Sequence, residues 1–290
     1  MGKTTTLSGQ MRSIPAGDVI HAVAGLCPTA NYVLPDDVVH ALQRASASEQ
    51  SPLGRTVLKS ILQNAAIAAE GLYPICQDCG LAVFLVEIGS EVQIAGMTLD
   101  EALTQGTRQG YLEHYLRASA VTDPFSRINT SDNTPPFVHI TLVGGDKLRI
   151  RFMPKGSGSE NMSRLRMLSP SEGIDGVKRE VLECVEAAGA KPCPPIIVGV
   201  GIGGTFDTCA ELAKLALFRE IGSSHPEPFY DKLERELLED INALGIGPLG
   251  FGGTVTALAV HIEAAPCHIA SLPVAVNLQC HAARRAEVTL

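Results

Sequence analysis

Two kinds of hydrophobic spacing alternate along this chain, and together they predict a mixed α+β fold that is rich in helix. Where apolar residues recur every three or four positions, as on the stripe formed by Val57, Ile61 and Ala65, we expect helices. Short continuous apolar runs between glycines predict buried strands. The predicted helices are 36–47, 54–69, 98–118, 169–188, 206–217 and 231–244. The predicted strands are 81–88, 138–143, 148–153, 195–204, 254–262 and 272–278.

Local signals mark the ends of several of these elements. Thr98 with Glu101, and Ser169 with Glu172, have the spacing of capping boxes that begin helices. Residues 121–136 are rich in Asp, Asn, Ser and Pro and predict a loop, as does the Gly/Ser run 155–159. The glycine-rich turn at 144–146 lies between two apolar runs and predicts a β-hairpin.

The chain has 290 residues, of which 45% are hydrophobic, which is enough for one domain with a large core. Because no repeats or linkers are evident, we expect one domain over residues 1–290, with helices around a sheet. Residues 1–12 are expected to form a flexible N-terminus, and a division into subdomains is the alternative. The net charge is −8 without clustered Lys and Arg, which argues against nucleic acid. No apolar run reaches roughly 18 residues and the N-terminus lacks an apolar signal core, so no membrane span and a cytoplasmic location are expected.

Eight cysteines are too few for a disulfide scaffold in a chain of this length. Cys76 and Cys79 form a C-x-x-C pair between a helix and a buried strand. This pair fits half of a zinc site, although no second pair follows, or a thioredoxin-type redox pair. It also fits one metal ligand beside a bystander, or two buried thiols.

Two further cysteines lie in informative surroundings. Cys193 is enclosed by Pro192 and Pro194, which stiffen the backbone and could fix a thiolate, or mark a plain entry to a strand. Cys280 follows the last predicted strand and precedes Arg284, whose charge would favour a thiolate, although a core cysteine fits equally well. The remaining cysteines fit core or helix-end positions: Cys27, Cys184, Cys209 and Cys267.

A glycine run at 199–204 matches G-x-G-x-x-G between a strand and a helix, the context of a dinucleotide site. Glu220 lies about the expected 20 residues further on. However, that acid belongs at the end of a second strand, and here the helix leads straight to it. The glycine run also fits close backbone packing, or a helix N-terminus that faces a carboxylate.

Taken together, five segments in order resemble the α-type catalytic part of class I fumarases and L-tartrate dehydratases, with the fumarase branch favoured. They span nearly the whole chain. The matching segments are Pro74-Ile75-Cys76-Gln77-Asp78, Asn133-Thr134-Pro135, Lys155-Gly156-Ser157-Gly158-Ser159-Glu160-Asn161, Cys193-Pro194-Pro195 with Gly204-Thr205-Phe206-Asp207, and Ser271-Leu272-Pro273-Val274 with Cys280-His281-Ala282-Ala283-Arg284-Arg285.

The resemblance implies a [4Fe-4S] cluster on Cys76, Cys193 and Cys280, with one iron that no protein residue ligates. That open iron suits Lewis-acid chemistry, whereas four cysteine ligands suit electron transfer. The implied catalytic residues are Asp78 and His268; the implied substrate-binding residues are Gln77, Arg117, Gly158 and His268. Two departures stand out: Cys79 replaces the usual Thr, and Ser157 replaces a common Gly.

The implied reaction is the reversible hydration of fumarate to malate, with tartrate dehydration or a mesaconase-type hydration as alternatives. The resemblance also implies a separate β-type subunit that completes the site and supplies the general base, in an αβ or α2β2 assembly. Two other classes remain open at this point. One is a nucleotide-binding oxidoreductase that uses 199–204, and the other is a non-catalytic metal or redox protein that uses Cys76 and Cys79.

Overall fold

The computed structural model describes residues 11–290, and it confirms a mixed α+β fold. The helices are α1 (Ala16–Tyr32), α2 (Asp36–Ser48), α3 (Pro52–Ala69), α4 (Leu99–Glu113), α5 (Ser157–Glu160), α6 (Gly173–Ala188), α7 (Phe206–Ala216) and α8 (Pro228–Ala243). The strands are β1 (Arg12–Pro15), β2 (Leu81–Gly89), β3 (Val92–Ala95), β4 (Phe137–Val143), β5 (Leu148–Lys155), β6 (Arg164–Leu168), β7 (Ile196–Gly204), β8 (Ala257–Cys267), β9 (Leu272–Gln279) and β10 (Ala286–Thr289). Short 3-10 turns lie at Pro170–Glu172 and Pro248–Gly250.

The fold consists of two compact units, and the chain passes from one to the other after Ala30, Asp78, Pro154 and Arg284. Unit 1 contains 11–30, 79–154 and 285–290; unit 2 contains 31–78 and 155–284. Residues 1–10 of the expected flexible N-terminus lie outside the described residues, whereas Arg12 already begins β1. No helix within the described part of the chain is long and apolar enough to cross a membrane.

Unit 1 is built on a four-stranded sheet in the order β10-β5-β2-β4, with β1 and β3 forming a separate parallel pair. The predicted hairpin between 138–143 and 148–153 is therefore wrong in its pairing, although both strands exist. The end of β2 is inserted between them: the Gly89 N–H donates to the Lys147 carbonyl at 2.9 Å, and the Ser90 N–H donates to the Val143 carbonyl at 2.7 Å. A Cβ on Gly89 would lie 2.2 Å from the Gly145 carbonyl oxygen, so this insertion requires glycine.

Helix α4 begins as expected, with both hydrogen bonds of the Thr98/Glu101 capping box. However, it ends at Glu113 rather than near residue 118. The reason is local, because Tyr115 adopts a positive φ of 53°, which a right-handed helix cannot contain. Where α4 packs on α1, a Cβ on Gly106 would lie 2.6 Å from the Cβ of Val23, so small residues allow the helices to approach closely.

Unit 2 contains the second four-stranded sheet, in the order β6-β9-β7-β8. β7 is parallel to β8 and antiparallel to β9, and β6 is antiparallel to β9. The predicted strand at 254–262 begins and ends later than expected, at Ala257 and Cys267. The Gly/Ser run at 155–159, predicted to be a loop, instead contains the single-turn helix α5.

Alternation along β7 explains how helices cover both faces of this sheet. Val198 and Val200 belong to the buried cluster that includes α6 and α8. The intervening Gly199 and Gly201 point to the opposite face, because side chains alternate along a strand. There a Cβ would lie 2.2 Å and 2.1 Å from backbone carbonyl oxygens of α7. The glycine run at 199–204 therefore lies within a strand, where it allows α7 to pack closely.

One buried carboxylate connects two distant segments of unit 2. Glu49, at the end of α2, is 1% exposed. Its carboxylate accepts N–H bonds from Ser51 at 2.8 Å, Thr254 at 2.9 Å and Val255 at 2.9 Å. Burial alone would raise the pKa of Glu49, but these hydrogen bonds outweigh it and lower the pKa below its usual value.

Glu49→Gln is therefore expected to lower the free energy of unfolding at neutral pH by about 1–3 kcal/mol, because an amide cannot accept all these N–H bonds. The carboxylate contributes above the pKa that glutamate has in the unfolded chain, and its contribution is lost as pH falls through the lower folded-state pKa. Chemical denaturation at several pH values measures this, with exposed Glu70→Gln as the control. A difference from wild type that did not shrink in acid would contradict it.

Candidate active site

Two of the three predicted cysteine ligands meet at one edge of the unit 2 sheet. Cys193 lies just before β7 and Cys280 just after β9, and Ile197 pairs with Gln279 where these antiparallel strands adjoin. His281 connects the two segments directly. Its backbone N–H donates to the Cys193 carbonyl at 3.3 Å, and its ring Nδ1 lies 2.9 Å from the same oxygen. Since a carbonyl only accepts, Nδ1 carries the proton in this contact.

The third cysteine, Cys76, reaches this edge on the loop that follows α3. Arg284 holds this loop beside the Cys280 segment, because its guanidinium donates to the Asp78 carbonyl at 2.9 Å and to the Asn31 side chain at 3.1 Å. The Ile75 N–H in turn donates to the Asn31 carbonyl at 2.9 Å. Arg284 is 1% exposed, so these contacts are shielded from water.

Electrostatics show that the three thiols are neighbours. Partial burial raises the pKa of the Cys193 thiol, which is otherwise exposed, and the nearby Cys280 and Cys76 raise it further. Burial also raises the pKa of Cys280, while the positive charges of Arg284 and Lys155 act in the opposite direction. Over residues 11–290, however, no three His, Cys, Asp or Glu side chains converge closely enough to hold a single metal ion.

Cys193 is held in an unusual backbone conformation. Its φ is 56°, in the left-handed region that non-glycine residues rarely adopt. The Leu249 N–H donates to the carbonyl of the following Pro194 at 2.8 Å. Such conformations persist where the surroundings enforce them, often at functional sites, and the Cys193 side chain is exposed here.

Asp78 and the Gly156–Asn161 turn lie beside the cysteines in unit 2. The Asp78 carboxylate accepts the Ser157 N–H at 3.0 Å and so caps the short helix α5. A Cβ on Gly156 would lie 3.2 Å from the Asp78 Oδ2 atom, so glycine allows this contact. Gln77 and Gly158, predicted to bind substrate, are exposed on these same two segments.

Arg117, the predicted carboxylate-binding residue, belongs to unit 1, where its side chain is exposed. Its backbone N–H donates to the Cys79 sulfur at 3.3 Å. The Cys79 carbonyl accepts the Tyr111 hydroxyl at 2.7 Å. Cys79 is therefore a buried residue that fixes the segment carrying Arg117, which gives a structural role to the cysteine found in place of threonine.

His268 lies at the other end of the unit 2 sheet, in the turn between β8 and β9. The eight residues of β9 separate this turn from Cys280, a distance of about 26 Å at the usual strand rise. His268 lines an apolar pocket of about 380 Å³ and accepts the Ala270 N–H at 3.1 Å on Nδ1. One chain does not bring His268 to the cysteines, so its catalytic role stays a prediction.

The sequence interpretation missed one residue of this site, Lys155. It is 2% exposed, and its ammonium donates to the Ser159 hydroxyl at 2.9 Å and to the Leu278 carbonyl at 2.8 Å. It also pairs with Glu160 at 3.1 Å. Burial lowers the pKa of Lys155 to about 8, against the raising effect of Glu160. The only sequence signal was its place in the Lys155–Asn161 segment.

Comparison with known proteins gives a consistent result. A family profile described as fumarate hydratase (Fumerase) matches residues 20–289. A Methanocaldococcus jannaschii protein, named provisionally as an L(+)-tartrate dehydratase subunit alpha, is 45% identical over 91% of this chain and 94% of its own. The L(+)-tartrate dehydratase subunits alpha of Escherichia coli O157:H7 and K12 are 37% and 36% identical, each over 91% of this chain and 88% of their own.

Arg284→Leu is expected to lower the free energy of unfolding by about 2–4 kcal/mol, because the Asn31 side chain and the Asp78 carbonyl both lose a buried donor. Arg235→Leu is the matched control, since Arg235 is 69% exposed and pairs with Asp231 one turn away. It should change stability by less than about 0.5 kcal/mol. Equal effects of the two substitutions in chemical denaturation would contradict the assigned role of Arg284.

Proposed function

Because the chain belongs to the fumarate hydratase (Fumerase) family, we propose that it is the α subunit of a [4Fe-4S]-dependent hydro-lyase that interconverts fumarate and malate. The observation that carries the cofactor assignment is the grouping of three cysteines at one edge of the unit 2 sheet. These residues come from three separate segments of the sequence, as the resemblance implies: Cys76, Cys193 and Cys280.

The donor set suits a cluster better than a single ion. A tetrahedral zinc site would hold thiolates at about 2.3 Å from one centre, and the described residues contain no such convergence. Three cysteine thiols from separate segments, grouped closely enough to affect one another's charge, fit an iron–sulfur cluster, whose ligands are cysteine thiolates. The buried cations Lys155 and Arg284 would offset part of the charge of three thiolates.

A bound cluster with one iron free of protein ligands would supply Lewis acidity toward substrate oxygen atoms. The chain's own residues then orient the substrate and handle its protons. Asp78, fixed by the Ser157 N–H, is proposed to move a proton at the substrate hydroxyl. Gln77 and the Gly158 backbone are proposed to bind the substrate, with Arg117 neutralising a carboxylate.

Tartrate dehydration is the second candidate, and the names of the relatives favour it. Proteins named as tartrate dehydratase subunits alpha match this chain over nine-tenths of its length. Tartrate differs from malate by one hydroxyl group, and the mesaconate pair differs by one methyl group. Such small differences can be selected by a few pocket contacts.

The name "subunit alpha" also supports a second subunit. We propose that a separate β-type subunit completes the active site and supplies the general base that removes a proton next to a carboxylate, in an αβ or α2β2 assembly. Co-expression with that subunit, followed by a substrate panel of fumarate, malate, tartrate and mesaconate, tests this proposal. Full turnover by the α chain alone would contradict it.

Single substitutions Cys76→Ser, Cys193→Ser and Cys280→Ser are each expected to abolish hydration activity and to lower cluster iron, because each removes one of three thiolate ligands. Cys79→Ser is the matched control within the same C-x-x-C pair and should retain the cluster. Iron content and the anaerobic visible spectrum of the co-expressed complex measure this. Loss of the cluster only in Cys79→Ser would overturn the ligand assignment.

The position of His268 has a consequence for the assembly. At about 26 Å from Cys280 along β9, it cannot act on a substrate bound at the cysteines of its own chain. If His268 contacts substrate, as the resemblance implies, it must come from a second copy of the chain. We therefore propose an active site shared between two α chains, which, of the two assemblies, requires α2β2.

Mixing two inactive variants tests this sharing. Chains with His268→Ala and chains with Cys280→Ser would be co-expressed with the β subunit under separate tags. A dimer with one chain of each kind contains one intact site, so statistical mixing should restore about a quarter of wild-type activity. No recovery in purified mixed dimers would show that His268 does not act across chains.

A further inference from the structure

Lys155 is a buried cation whose hydrogen bonds lead to the segment that carries Cys280. Lys155 is 2% exposed, so its side chain is shielded from bulk water. Its three N–H donors match three acceptors: the Ser159 hydroxyl, the Leu278 carbonyl and the Glu160 carboxylate. Leu278 precedes Cys280 by only two residues, so Lys155 holds the end of β9 from behind.

The surroundings of Lys155 leave an excess of positive charge. Its carboxylate partner, Glu160, also pairs with Lys214 at 2.6 Å and accepts a hydrogen bond from Asn277 at 2.9 Å. Burial raises the pKa of Glu160, but the two lysines and these hydrogen bonds lower it to about 2, so this group stays ionised. Two ammonium groups therefore face one carboxylate, and the net charge of the group is positive.

Lys155 also fixes the turn that orients Asp78. Its ammonium donates to Ser159, whose hydroxyl donates to the Gly156 carbonyl at 3.2 Å. The next residue, Ser157, is the one whose N–H holds the Asp78 carboxylate. One ammonium group thus joins the strand that leads to Cys280 to the turn that orients Asp78.

We propose that Lys155 is a positioning residue of the cluster site: it fixes the Cys280 segment through the Leu278 carbonyl, and its buried charge stabilises the negative thiolate–cluster unit. This inference rests on the proposed function. Because the ammonium is buried and fully bonded, it acts through Cys280 rather than on substrate. Removing a residue that positions a metal ligand typically lowers metal affinity by about 10- to 100-fold.

The test compares Lys155→Met with Arg219→Met. Arg219 is the matched control, because it too binds a buried carboxylate, Glu234, and a strand carbonyl, that of Ile262 at 3.2 Å, away from the cysteines. In the cluster-loaded αβ complex, Lys155→Met should shift the reduction potential to more negative values and lower iron retention against a chelator by about 10- to 100-fold. Arg219→Met should leave both at wild-type values.

Glu160→Gln tests the direction in which charge shifts the reduction potential. It removes a negative charge from the same group, so it should shift the potential to more positive values, opposite to Lys155→Met. A purely structural effect would move both variants in the same direction. Shifts of equal sign, or an unchanged potential in Lys155→Met, would overturn the inference while leaving the proposed function intact.

Amide hydrogen exchange of the α chain without its cluster tests the positioning separately. Lys155→Met should speed exchange over residues 278–282 by about tenfold or more, as expected for the loss of one charged hydrogen bond, and Arg219→Met should not. If the wild-type chain took up no iron, the proposed function would fail, and this measurement would still decide whether Lys155 holds the Cys280 segment. Unchanged exchange in Lys155→Met would refute that role.

Discussion

The antiparallel pairing of β7 with β9 is the constraint on which the candidate site depends. Because the two strands run in opposite directions, the start of β7 adjoins the end of β9, and Cys193 lies beside Cys280 although the two residues are 87 positions apart in the sequence. The pairing also separates His268 from Cys280, since β9 leads from the turn that contains His268 to Cys280. One strand register therefore decides which predicted residues can act together within a chain.

Grouped thiols need compensation, because burial and mutual repulsion both oppose their ionised form. The fold provides it with two buried cations of different kinds. Arg284 donates to a carbonyl and an amide side chain, so its charge is not cancelled by a carboxylate in these contacts. Lys155 shares Glu160 with Lys214 and leaves a positive excess. The same contacts join the segments that carry Cys76, Cys280 and Asp78, so charge compensation and positioning have one structural origin.

Glycine determines how closely these elements approach one another. Gly199 and Gly201 allow α7 to lie against β7, which explains a sequence motif that otherwise suggests a nucleotide site. Gly156 leaves space for the Asp78 carboxylate beside the turn that caps α5. The motif at 199–204 is thus explained by packing, and the family membership assigns the chemistry to the hydro-lyase class instead.

The sequence by itself determined the features that depend on near neighbours. The capping boxes at Thr98 and Ser169, the core strands and the ordered set of family segments could all be identified from it. It was wrong about the hairpin, because strand pairing depends on contacts with the distant β2. It missed Lys155, because burial of a lysine depends on acceptors such as the Leu278 carbonyl, more than a hundred residues away. The separation of His268 from Cys280 was likewise decided only by the tertiary structure, since distance across a sheet follows from register and not from spacing along the chain.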